Sequence, residues 1–202
     1  MIDFLATFIV FFAVIDPIGT VPVFIAVTSG HDQAETRKIA VQATIISALI
    51  LIFFVMAGEV ILTAISIPLP AFQIAGGIVL FLFALTMIFG ESKPEEEVKL
   101  VRSARDTAVF PLAVPSIAGP GAMLAAVMQT ENAVFNLSQQ LQVTTMMLAV
   151  LFVVMILMLG ASFVIRLIGN SGASVISRVM GLILASVAAE SVLSGMKLYF
   201  SI

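Results

Sequence analysis

Six stretches of this chain are apolar for about twenty residues or more, roughly 4–28, 39–65, 71–90, 107–130, 143–168 and 175–199. A helix needs about 20 such residues to cross the hydrocarbon core of a bilayer. The chain is 202 residues long, 61% hydrophobic and only 10% charged. A soluble domain carries about 25% charged residues, so this surface belongs in lipid. The reading is an all-α integral membrane protein with six transmembrane helices in a single transmembrane domain. There is no Cys, which excludes disulfides and thiolate metal sites. Net charge is −3 with no basic block, so no nucleic-acid partner is expected. The N-terminus carries only Asp3 before its apolar run and lacks the positive region of a signal peptide. It is expected to stay as the first span.

Charge sets the expected orientation. Eight of the nine basic residues flank three connections: 29–38 with Arg37 and Lys38, 91–106 with Lys93, Lys99, Arg102 and Arg105, and 166–178 with Arg166 and Arg178. Only Lys197 lies on the other side. The positive-inside rule puts these connections in the cytoplasm and both termini outside. The acidic run Glu95-Glu96-Glu97 counts little in that rule and reads as a solvated face.

Two of the six stretches are interrupted near their centres. The first holds Asp16-Pro17-Ile18-Gly19-Thr20-Val21-Pro22, and the fourth holds Pro115-Ser116-Ile117-Ala118-Gly119-Pro120-Gly121. Ala13-Val14 and Gly19 recur as Ala113-Val114 and Gly119 at a constant offset, and Gly77-Ile78-Val79-Leu80 resembles Gly181-Leu182-Ile183-Leu184. The chain therefore divides into repeat 1 (about 1–90), a charged linker (91–106) and repeat 2 (about 107–202). Three spans per half force opposite orientations, the inverted-repeat plan of many secondary transporters.

Pro removes a backbone donor and Gly relaxes dihedral limits, so both runs should unwind. A new half-helix is expected to start near Thr20 and another near Pro120. The free amides at a helix N-terminus favour an anion. Two such ends meeting at mid-depth would cradle a substrate carboxylate. Irregular backbone at that depth requires surrounding protein or a water-filled cavity. A carboxylate at the bilayer centre costs roughly 3 kcal/mol on insertion scales, so Asp16 is expected to face a cavity and hold an ammonium group, Na⁺ or H⁺. Thr20 and Ser116 could add hydroxyls. The plainer reading of Asp16 is an N-cap for the second half-helix, which is compatible with binding.

Glu190 lies deep in the sixth stretch and is a second ion-coupling candidate, against a structural cavity-facing acid. Glu59 falls near the outer end of the second stretch and reads as interfacial. Gln42 and Gln73 read as interhelical hydrogen bonders, His31 as solvated and Arg178 as an interfacial anchor. The spans contain no metal-ligand cluster, no Ser–His pair and no phosphate-binding loop. No cofactor, metal or catalytic residue is expected, and the chain is not read as an enzyme.

Asp16 to Pro22, Ala57-Gly58-Glu59, Ile74-Ala75-Gly76-Gly77-Ile78 and Pro111 to Gly121 together resemble the MarC/SnatA family. The likeness runs from about residue 3 to 200. That family comprises six-span bacterial and archaeal inner-membrane proteins, usually grouped with LysE-type exporters. The resemblance implies transport of small neutral amino acids such as glycine and alanine, coupled to a proton or sodium gradient, in the cytoplasmic membrane. It carries over Asp16, Pro17 and Gly19 from the first motif and Gly119, Pro120 and Gly121 from the second. Ser116 stands where the family pattern has a larger apolar residue. The alternative is a LysE-type exporter or channel-like facilitator with another substrate.

Overall fold

The computed structural model describes residues 3–89, 107–132 and 135–201. The charged linker 91–106, with Glu95, Glu96 and Glu97, lies outside them. All regular structure among the described residues is helical. Five helices are long and apolar enough to span a bilayer, and a bent pair makes a sixth.

The first span is two helices, α1 (Phe4–Ile15) and α2 (Pro17–Thr28), joined at Asp16. Asp3 starts α1 by accepting from the Leu5 and Ala6 amides at 3.0 and 3.1 Å. The second span, α3 (Gln33–Ala64), begins at Asp32, whose carboxylate accepts from the Glu35 amide at 2.7 Å. Side-chain oxygens satisfy otherwise orphaned amides at both starts. This cap corrects the expected connection: Arg37 and Lys38 sit on the first turns of α3, so the link between spans is 29–32 rather than 29–38. The third span is α4 (Leu69–Phe89).

The fourth span is a π-type stretch, α5 (Ala108–Ile117), followed by α6 (Pro120–Met128), with a 56° bend between them. Within α5, Phe110 (φ −135°, ψ 126°) and Val114 (φ −132°, ψ 127°) are extended. Each precedes a proline, whose ring excludes the α region for its neighbour. The local sequence Phe110-Pro111-Leu112-Ala113-Val114-Pro115 therefore cannot wind as a regular helix.

The fifth span, α7 (Leu137–Leu159), opens on a reciprocal cap between Asn136 and Gln139. It starts and stops earlier than the apolar stretch 143–168 suggested. Residues 161–168 instead begin α8 (Ala161–Phe200), which turns sharply at Gly169 (φ 66°, ψ 169°). Only glycine adopts that conformation readily. The expected 166–178 turn is thus a single kink, and residues 170–178 already belong to the sixth helix.

The helices of the two halves interleave. α4 lies along α8, α3 packs on α5 and α6, and α7 packs on α1 and α2. Exchanging the halves preserves this pattern: each second span sits on the other half's broken span, and the third spans pair with each other. Glycines fix the last pairing. A Cβ on Gly77 would lie 3.0 Å from the Ala188 carbonyl oxygen, and one on Gly181 would lie 3.1 Å from that of Ala84. A Cβ on Gly195 would meet the Pro70 carbonyl oxygen at 3.0 Å. Small residues let membrane helices approach this closely. Numbers rise along α4 as they fall along α8, so the two third spans are antiparallel. The outer surface carries large apolar side chains such as Leu49, Phe53, Met56, Leu82 and Phe152, as a lipid-facing wall requires.

Candidate functional site

Asp16 is 1% exposed and adopts the left-handed conformation (φ 50°, ψ 68°), which Asp tolerates better than most residues. Its amide donates to the Phe12 carbonyl at 3.0 Å and closes α1. Its carboxylate Oδ1 accepts from the Gly19 amide at 2.9 Å and opens α2, with Pro17 at the first helical position. The half-helix therefore starts at Pro17, three residues before the position expected from the sequence. Thr20 is fully buried, and its hydroxyl donates to the Asp16 carbonyl at 3.0 Å. The Oδ2 oxygen accepts from the Ser177 hydroxyl of α8 at 3.4 Å. Gly19 makes this possible: a Cβ there would lie 2.6 Å from the Asp16 Cγ and 2.7 Å from the Ser177 Oγ. Asp16 thus caps α2 and bonds to α8.

The second break is built differently. Gly119 is the N-cap of α6 (φ −79°, ψ 171°), Pro120 is the first helical residue, and among the described residues no side chain caps this end. The amides of Gly121 and Ala122 therefore keep the partial positive charge of an open helix start. Ser116 is 2% exposed, and its hydroxyl has no hydrogen-bond partner among the described residues. Burying an unpaired hydroxyl is costly. Of the two expected anion-binding ends, α2 is occupied by the protein's own carboxylate and α6 is open.

On the side of the α3–α4 connection lies a cavity of about 210 Å³ between α1, α4, α6 and α8. Its polar lining is Gln73, Gln129, Glu190 and Ser191. Gln73 faces this space rather than bonding a neighbouring helix. Val14 and Leu80 line it at the end nearer the breaks. A Cβ on Gly121 would collide with the Leu80 Cδ1 and lie 3.8 Å from the Val14 Cβ, so Leu80 rests on the backbone at the start of α6. Glu190 is exposed to this space, and its Oε1 accepts from the Ser194 hydroxyl at 2.6 Å. Glu190 lines this cavity, whereas Asp16 bonds to Gly19 and Ser177.

Two further acids meet at the cavity's end of the molecule. Glu59 Oε2 accepts from the Asn132 amide at 2.8 Å, tying α3 to the segment after α6. Beside it, burial and then the Glu59 charge hold the Glu131 carboxyl above its ordinary value of 4.5. Glu59 is thus a tether between the halves as well as an interfacial acid. His31 is not simply solvated, since its Nδ1 is enclosed without a partner among the described residues.

Sequence reading missed Ser177 and Leu80. Ser177 sits beside Arg178 in what read as a turn. Leu80 is one apolar residue among many. Only the continuity of α8 and the missing side chain of Gly121 reveal them.

The family model described as "MarC family integral membrane protein" matches residues 1–200. A UPF0056 membrane protein of Methanocaldococcus jannaschii is 32% identical over 197 residues, covering 96% of both chains. One from Archaeoglobus fulgidus is 34% identical over 196 residues, covering 96% of this chain and 92% of its own. One from Bacillus subtilis is 34% identical over 200 residues, covering 96% and 94%. No solved structure matches the chain. The broken spans, the six-span helical fold and a full-length family match lead to one assignment: this chain belongs to the MarC family of integral membrane proteins.

Proposed function

We propose that this protein is a secondary transporter that moves small neutral amino acids, such as glycine or alanine, across the cytoplasmic membrane, coupled to H⁺ or Na⁺. In this reading the basic connections face the cytoplasm, and the substrate binds between the two helix breaks. The observation that carries it is the asymmetry of those breaks. One holds a buried carboxylate, Asp16, and the other a helix start and a buried hydroxyl, Ser116, that no side chain among the described residues satisfies.

A zwitterion suits that asymmetry. Its carboxylate would take the Gly121 and Ala122 amides and the Ser116 hydroxyl, and its ammonium would draw on Asp16. The Gly19, Thr20 and Ser177 contacts around Asp16 would keep the carboxylate oriented. Pro17, Gly119 and Pro120 hold the backbone open at the two breaks. Paired interruptions in corresponding positions of two halves are the usual pointer to a transporter's midplane site.

The test is uptake of radiolabelled alanine into proteoliposomes of the purified protein, with and without an imposed proton or sodium gradient. Accumulation above equilibrium only with a gradient supports coupled transport. Saturable equilibration without accumulation supports the facilitator alternative. No protein-dependent uptake removes the amino acid assignment.

A further inference from the structure

We infer that the cavity between α1, α4, α6 and α8 is a cation-selective access site, with Leu80 as the gate between it and the helix breaks. Its ligand class is a small solute bearing an ammonium group. The inference builds on the transport reading for what passes the gate, whereas the cavity and its charge stand apart from it.

Four observations lead here. The cavity holds about 210 Å³, below the roughly 300–1,000 Å³ of drug-sized ligand pockets, so it suits a small solute. Among the described residues, Glu190 is the ionisable group on its lining and no basic side chain lines it. The Ser194 hydroxyl holds Glu190 Oε1 at 2.6 Å, which leaves Oε2 for a ligand. Gln73 and Gln129 add amide groups near the start of α4 and the end of α6.

The gate follows from Gly121. The Leu80 side chain occupies the position that a Cβ on Gly121 would need, and Val14 stands beside it. Both residues line the cavity, and Gly121 carries one of the open amides at the second break. One leucine therefore stands between an acidic vestibule and the uncapped helix start. A solute entering from this side would meet Glu190 first with its ammonium group, then the amides of α6 with its carboxylate once Leu80 swings away.

The chain has no Cys, so single thiols report cleanly. Ala125→Cys, on the α6 wall of the cavity, would be probed with two membrane-impermeant methanethiosulfonates of similar size, one a trimethylammonium and one a sulfonate. Each would be added separately to right-side-out spheroplasts and inverted vesicles. Electrostatic focusing in such clefts raises cation encounter rates by tenfold or more. The cationic reagent should therefore react about tenfold faster than the anionic one, and only from the face opposite Arg37 and Lys38. Glu190→Gln should abolish that preference. Leu80→Ala should open Ser116→Cys to the cationic reagent from the same face. Equal rates for both reagents, a preference that survives Glu190→Gln, or Ser116→Cys labelling indifferent to Leu80 would each overturn the inference. Labelling needs no transport, so charge-selective labelling that depends on Leu80, without alanine uptake, would keep the cavity and its gate and remove only the amino acid reading.

Discussion

At Asp16 one side chain closes a helix, opens the next and places a carboxylate at mid-span. Capping and charge can be separated, because Asn caps a helix as well as Asp does. Asp16→Asn is expected to unfold within a few degrees of the wild type in detergent. Asp16→Ala loses the cap and about 1 kcal/mol with it, and should melt measurably lower. Equal melting of both variants would show that the cap contributes nothing. Ser116 gives the opposite signature. Its hydroxyl is buried without a partner among the described residues, so Ser116→Ala should leave thermal stability unchanged or raise it while raising the KM for alanine. A clear loss of stability would mean that the hydroxyl is bonded in the native protein. Glu131 carries a pH dependence. Its carboxyl is held above 4.5 by burial and by Glu59, so the folded protein binds that proton more tightly than the unfolded chain. The resulting stability is full below about 4.5 and is lost as pH rises through the elevated value. Melting curves from pH 4 upward should show this decline, and Glu131→Gln should flatten it.

Among the helices, the breaks were legible in the sequence because Pro and Gly act locally. Phe110 and Val114 are extended for the same reason that Pro111 and Pro115 are visible in the chain. Gly77 and Gly181 were legible as a repeat, and the structure gives the cause: each seats the other helix's backbone, at Ala188 and Ala84. Replacing Gly181 with Leu should wedge α4 from α8 and lower the yield of folded protein, whereas Leu at the open Gly30 should not, apart from strain at its positive φ. Gel filtration in mild detergent reads this directly. The helix starts at Gln33 and Leu137 lie ahead of the apolar stretches because polar residues at a membrane surface can cap a helix as readily as form a loop. The distinction between an occupied α2 start and an open α6 start was out of reach, since it depends on where the Asp16 carboxylate folds back. Ser177 was hidden for a related reason: its role comes from packing across 161 positions of sequence.

Over the whole molecule, the halves are interleaved, not side by side. Each second span packs on the other half's broken span, and the third spans pair in opposite directions. Such an arrangement puts both breaks inside protein, where irregular backbone is tolerated, and leaves the apolar periphery to lipid. Glu59 adds a polar tie between halves at one end through the Asn132 amide. On the proposed transport reading, two unlike breaks, one anionic and one open to an anion, together hold a small zwitterion. The most direct measurement is gradient-driven alanine uptake by Asp16→Asn beside the wild type, in proteoliposomes of matched protein content and verified folding. The expected result is accumulation by the wild type and none by the variant. Undiminished coupled uptake by Asp16→Asn would contradict the claim.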